Sequence, residues 1–547
     1  MSEGRAAQAA VIRRRSGTVP HLVAAALILG GCATRDREGS RPAAVVVAAV
    51  GEPATILPAL AYETVARDIG DLVYERLATL ERGGAPMDPT AYAPALASRW
   101  ERVDSLTWRF HLRSGARWHD GVPVTADDVA FSFAAYADPA VAAGAQSLVA
   151  GRMTATAEDD STVLVRLLAA TPEPLYDITY HVRVLPRHIW DSVPRSAWAT
   201  DTSTARLVGS GPYRFVAWRR GESLELAADT AGDRGLPDVR RIVWRFAADP
   251  DASLNLLLAH EADLLEAIGA PDRVARIEAD SAFRVVRYPS AVYGFAGFMT
   301  APGARRHPAL RDRAVRRALV MGVDREAIAR NVYGRDVTVP SAPMSGLLWV
   351  GRGDYGALPF DTAASSRLLD SAGWRTGGDG MRSRAGRALE LEILVPSTSP
   401  GRRQAAIALQ EMWRRIGVAG EVVAVDFPVF QERLAAGAFD VYIGAYLDEP
   451  SARGLADQWS SGGPLNHGRY RSAQVDSLLA AAAAASDTHS ARRAYAQAFT
   501  ALNADAPAIF LYAPLNSAAV SRRLTGLEID PYSWLALLPE WRLPGSD

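Results

Sequence analysis

The chain has 547 residues and is 49% hydrophobic, enough to build two or three apolar cores and in the range of water-soluble globular proteins. Its 60 basic and 61 acidic residues nearly cancel, so the cationic footprint of a nucleic-acid binder is missing and no nucleic-acid partner is expected. All the basic residues are arginine and Cys32 is the only cysteine; this excludes lysine Schiff bases, a Walker-A lysine, Ser-x-x-Lys catalysis, an internal disulfide and a multi-cysteine metal site.

The chain begins with a segment of export character. Arg13, Arg14 and Arg15 precede "HLVAAALILGG", an apolar run too short to span a bilayer as a helix. Leu29-Gly30-Gly31-Cys32 resembles the bacterial lipobox. That resemblance implies a signal peptide over residues 1–31, cleavage before Cys32, a thioether lipid on its sulfur and acylation of the new N-terminus. Two or more acyl chains give stable anchoring, so a membrane partner through Cys32 is expected. The alternative is an ordinary secretory signal with an incidental cysteine. "MSEGRAAQAAVI" has no signal character, which leaves a start downstream of Met1 open. Residues 32–40, charged and without apolar periodicity, predict a flexible tether.

Leu106, Trp108, Phe110 and Leu112 alternate with Thr107, Arg109, His111 and Arg113, which predicts a strand buried on one face. Asp120-Gly121 predicts a turn, and Thr125 with Asp128 a capping box opening a helix through Val129, Phe133 and Tyr136. Further on, "TGGDG" predicts a hairpin. "ALELEILVP" is read as a strand, "RRQAAIALQEMWRRIG" as a helix ending at Gly417, "EVVAVD" as a strand and "FPVFQERLAAG" as a helix ending at Gly437. "FDVYIGAY" reads as a buried strand, so the succession predicts an α/β lobe with parallel neighbours. The alanine run 480–485, preceded by "VDSLLA", predicts another helix.

"VYERLATLE", "YAPALASRWE", "WRFHLRSGARWHDGVPVTADDVAFSF", "LPRHIW", "GSGPYRF", "AVRRALVMGVDREAIARNVYG", "DTAASSRLLDSAGW", "LQEMWRRIGV", "FDVYIGAY" and "NADAPAIFLY" follow one another in the order seen in a known family. The chain resembles the family 5 extracellular solute-binding proteins of peptide and nickel ABC transporters. The resemblance implies a two-lobed α/β fold of the periplasmic-binding-protein type (type II), with an extra subdomain on the first lobe. Residues 41–78, 205–283 and 508–547 would form lobe 1, residues 79–204 the subdomain and residues 284–507 lobe 2. It also implies a monomeric receptor at the outer face of the cell membrane or in the periplasm. Such a receptor captures a peptide or small polar solute and passes it to an ABC transporter permease, with no cofactor and no catalysis.

Family members carry an aromatic and an acidic residue after their Phe-Asp strand, the acid pairing with a peptide's ammonium. Counting forward from Phe439-Asp440 places Tyr446 at the aromatic position and Glu449 at the acidic one, with Asp448 as the alternative acid. Counting back from Pro450 places Tyr446 at the acidic position instead. Tyr293, beside Phe295 in a predicted strand near the lobe crossing, is a further ligand candidate, core packing being the alternative for both aromatics. Phe298 and Met299 stand where relatives carry asparagine.

Motifs of other classes are incomplete. "HEADL" at His260 lacks the second histidine of a zinc protease helix, and Gly209-Ser210-Gly211 lacks the spacing of a nucleophile elbow. His119 beside Asp120 reads as a turn residue. Two further functions stay open at this stage: a receptor of the same fold serving signalling or cell-wall recycling, and a lipoprotein hydrolase.

Overall fold

The computed structural model describes residues 44–544 apart from 233, 267, 270, 302–306 and 352. The expected signal segment, Cys32 and the whole expected tether therefore lie outside the described residues.

In the second lobe, the sheet runs Ala419–Val425, Glu390–Pro396, Val441–Leu447, Val292–Phe298 and Ala508–Ser521. Glu390–Pro396 pairs in parallel with both its neighbours, the arrangement expected of the strand–helix succession after residue 388. Both sheet faces are buried. Ile393, Val395, Val441, Ile443, Ile509 and Leu511 enter one apolar core, while Leu394, Tyr442 and Phe510 enter the other. This two-sided burial explains why "FDVYIGAY" reads as a buried apolar run, although "ALELEILVP" on its flank reads as an alternation. Helix Pro400–Arg414 covers one face, its Trp413 fully buried and donating from Nε1 to the Leu319 carbonyl at 3.0 Å. Helix Phe427–Ala436 ends at Gly437, whose φ of 67° is left-handed and favours glycine.

In the first lobe, Val45–Val50 lies parallel to Arg241–Ala247 on one side and to Leu264–Leu265 on the other, and the antiparallel strands Ser223–Ala228 and Tyr213–Arg219 complete the edge. The extra subdomain is a four-stranded antiparallel sheet that includes the predicted strand, Thr107–Leu112, packed by helix Ala126–Ala137. Asp128 accepts from the Thr125 and Arg187 N–H groups, both at 2.8 Å, so one carboxylate caps the helix and holds a distant segment. Trp108, Phe110 and Leu112 belong to the same core as Val45 and Leu72, which fuses the subdomain to the first lobe.

The lobes are joined through the long strand Ala508–Ser521. Its residues 508–512 pair with Val292–Phe298, and its residues 515–521 pair with Phe283–Pro289. The chain thus crosses between lobes twice, after Pro289 and near residue 514.

The other motifs resolve as structure. His119 bridges the Gly209–Gly211 segment, accepting from the Gly209 N–H at 3.2 Å and meeting the Gly211 carbonyl through Nε2 at 2.9 Å. A Cβ at Gly209 would lie 1.9 Å from the Val73 carbonyl oxygen, so glycine is required by close packing. His260 follows helix Pro250–Leu258 with a φ of 59°, outside any helix, and meets Asp280 at 3.2 Å. Among the described residues no group of three or more His, Cys, Asp or Glu could hold a metal ion, and no helix is long and apolar enough to cross a membrane.

Candidate functional site

Strand Val441–Leu447 carries the chain out of the second lobe's core and into a cleft. Its neighbour Val292–Phe298 pairs Tyr293 with Tyr446. Gly297 and Gly444 make room for the Tyr442 ring, which a Cβ would approach to 2.5 and 2.7 Å. The rings beneath the site form one layer: Tyr446 stands 4.9 Å from Phe295 and 6.0 Å from Tyr293, and Phe295 stands 5.3 Å from Trp459.

Beyond Tyr446 the character of the chain changes. Leu447 is exposed, Asp448 is buried and Glu449 opens into the cleft. The cleft has a volume of about 1120 Å³ and takes walls from Arg67, Asp68 and Glu266 of the first lobe and from Trp349, Asp448 and Glu449 of the second. A second cavity, of about 780 Å³, adjoins it; Leu148, His181, Leu447, Asp448 and Glu449 border both.

The electrostatics follow from burial. Asp448 accepts a hydrogen bond from the Ser345 N–H at 2.6 Å, and its own N–H donates to the Ala291 carbonyl at 2.8 Å. Removal from water pushes its carboxyl up to about 7, the Ser345 N–H pulling weakly the other way. Burial also raises Glu449, opposed by the Tyr176 hydroxyl at 3.4 Å and by the charges of Arg453 and Arg67. On the facing wall Asp68 lies well above the carboxylate range, through burial and then through the negative neighbours Glu266 and Asp71, although Trp534 donates to it at 3.1 Å. Burial likewise raises Glu266, which accepts from the Tyr288 hydroxyl at 2.5 Å. Asp71 is the contrast: against its burial, Arg183 and Arg76 hold it below the ordinary value. The Tyr532 hydroxyl is buried without a hydrogen-bond partner among the described residues, within electrostatic reach of Asp448 and Glu449.

The segment after Glu449 reaches across to the subdomain. Arg453 meets Glu173 at 2.8 Å and also pairs with Asp177, while the Ser451 hydroxyl donates to Glu173 at 2.5 Å.

Of the four residues singled out from sequence, Asp448 and Glu449 are brought together on the cleft wall. Tyr293 and Tyr446 are not. Tyr293 is fully buried, its hydroxyl donating to Gln458 at 2.5 Å and accepting from Trp459 Nε1 at 3.0 Å. Tyr446 donates to the Leu465 carbonyl and packs on Phe295. Both rings support the wall from behind, because the strand pairing points them into the second lobe's core. Asp68, Glu266, Tyr176, Arg453 and Tyr532 were missed. All but Arg453 come from remote segments, and no local pattern marks any of them.

Residues 91–466 match the family described as bacterial extracellular solute-binding proteins, family 5 Middle. The oligopeptide-binding protein AppA of Bacillus subtilis is 23% identical over 508 residues, covering 91% of each chain. A putative peptide-binding protein AppA from Clostridium difficile shares the fold with a TM-score of 0.78 at 20% identity, over 92% of this chain and all of that one. NikZ from Campylobacter jejuni, solved in complex with Ni(L-His), shares it with a TM-score of 0.70 at 24% identity, over 91% and 99%. The chain therefore belongs to family 5 of the bacterial extracellular solute-binding proteins.

Proposed function

We propose that this protein is the receptor of an ABC importer and that it takes a peptide, or a similarly sized polar solute with a cationic end, into the interlobe cleft. The observation that carries this reading is the pair Asp448 and Glu449, one carboxylate buried and one open to the cleft, at the junction of two cavities. The buried Asp448 has the Ser345 N–H but, among the described residues, no cation beside it, so ionising it is costly, and a ligand ammonium supplies the missing charge. The name of the Bacillus subtilis relative, an oligopeptide-binding protein, supports the ligand class. Two crossing connections fit a hinge, so a ligand that prefers the closed form shifts the population toward it, and the permease reads that shape. The boundaries expected at 283/284 and 507/508 shift to these crossings: residues 44–289 and 515–544, the 79–204 subdomain included, would move as one lobe against residues 290–514. Lipidation at Cys32 would tether the receptor to the membrane, and Cys32→Ser would abolish incorporation of labelled fatty acid.

Calorimetry with a co-purified ligand, identified by mass spectrometry, tests the cleft. Glu449→Gln or Asp448→Asn should each remove a charge-assisted bond of about 1.5–3 kcal/mol, a roughly ten- to hundredfold loss of affinity. If both variants bind like wild type, the site is wrong; if the ligand is consumed, the receptor reading fails.

A further inference from the structure

The second cavity is lined in a way that the charge arrangement does not explain. Four leucines are exposed among the described residues, and three of them, Leu447 at 62%, Leu168 at 52% and Leu465 at 41%, border this one cavity. A single exposed leucine needs no explanation, but three converging on one concave surface do. They come from three separate segments, and each backbone is held. Leu447 pairs with Val292, the Leu168 N–H donates to the Arg152 carbonyl at 2.7 Å, and the Leu465 N–H donates to the Asp457 carbonyl at 2.9 Å. The leucines are therefore presented by the fold and are not the tips of slack loops. Much of the polar lining is already engaged: Arg453 with Glu173 and Asp177, and Gln458 with Tyr293.

From this we infer that the second cavity is a subsite for an apolar side chain of the same ligand, placed next to its cationic group. The inference rests on the cationic-ligand reading above. It goes further by naming the chemistry of the neighbouring group. Leu447 directly precedes Asp448, and the cavity shares Leu447, Asp448 and Glu449 with the main cleft. A ligand whose ammonium sits at the carboxylates thus has an apolar chamber within one residue's reach. In a peptide this selects a leucine, isoleucine, valine, phenylalanine or methionine at or beside the N-terminus. Burial of such a side chain against leucines favours it over glycine by about ten- to hundredfold.

The test presents a casein digest to the purified, immobilised full-length protein and sequences the retained peptides by mass spectrometry. Wild type should retain peptides at least about tenfold enriched in apolar residues at the first or second position. Leu447→Asp and, independently from the other lobe, Leu168→Asp should still retain peptides but lose that enrichment. Both side chains are exposed, so thermal melts should match wild type. Retention without apolar enrichment, or enrichment unchanged in both variants, overturns the subsite and leaves the receptor reading standing. If wild type retains no peptide, the peptide reading fails and the subsite falls with it.

Discussion

The stretch from Phe439 to Arg453 contains two regions that behave in opposite ways. Its first half leads into strand: Val441 and Tyr442 pair with strands on both sides, and Phe439, Val441, Tyr442 and Ile443 are buried and packed into two cores. Its second half places Leu447 in solvent and Asp448 and Glu449 in the cleft, and pairs Arg453 with side chains of the other lobe. The first half is satisfied within its own lobe. The second draws on distant segments as well, Ser345 for Asp448 and Glu173 and Asp177 for Arg453, which fits the proposed ligand site. Binding groups on a loop held by a rigid strand gain precision from the strand and freedom from the loop.

The comparison breaks first if the strand half proves tolerant. Phe295 is fully buried beneath the site, against Tyr446, Tyr442 and Trp459. Phe295→Ala should destabilise folding by about 3–5 kcal/mol, from lost burial and the cavity left behind. Leu447→Ser, a short way along the paired strand, should change stability by no more than about 0.5 kcal/mol. Denaturant unfolding measures both, and similar values for the two would erase the distinction.

That distinction also explains what was legible in the sequence. The strands and helices after residue 388 announce themselves through apolar runs and the glycines at 417 and 437, because local pattern decides them. Glu449, with Asp448 as the alternative acid, is singled out by the family resemblance, counted from Phe439-Asp440 within the same segment. Tyr293 was recognised as a strand residue, but the face it takes is set by a sheet buried on both sides, where periodicity carries no sign of which face meets the cleft. The partners of the loop half could not be read at all. Tyr176 and Glu449 lie 273 positions apart, and Ser451 and Glu173 lie 278 apart. Only the folded chain puts them together.

A smaller effect sharpens the interlobe half of the comparison. The Glu173 side chain is 4% exposed, and Arg453 is its cation. Arg453→Met should leave a buried carboxylate short of its partner, at a cost of about 1–3 kcal/mol. It should also weaken binding of any ligand, because the contact joins the two lobes beside the second cavity and its charge acts on Glu449. Adding Glu173→Gln and Asp177→Asn should recover part of the stability, since neutral partners are cheaper to leave unpaired. Thermal melts and small-angle scattering of the unliganded protein read the two consequences. An unchanged melt for Arg453→Met would show the bridge to be inert.

The smallest expected effect is a pH dependence at Asp448, and its two signs differ. Burial raises this carboxyl from the ordinary 3.8 to about 7. For folding, ionising the buried group is unfavourable, so its contribution to stability is fully present below about pH 4, declines as pH rises toward 7 and is level above. For binding a cationic ligand the sign reverses, because only the ionised carboxylate pairs with an ammonium. Affinity should therefore rise about tenfold between pH 6 and pH 8, following the ionised fraction, and should flatten above that. Asp448→Asn should abolish most of this rise while lowering affinity at pH 8. Glu449→Gln should lower affinity and leave the rise in place, since the Asp448 carboxyl still titrates. Calorimetric titrations at half-unit steps from pH 5.5 to 8.5, with a ligand whose own charge is constant over that range, separate the two residues. A profile that is flat in the wild-type protein would mean that the ligand's charged end does not meet Asp448.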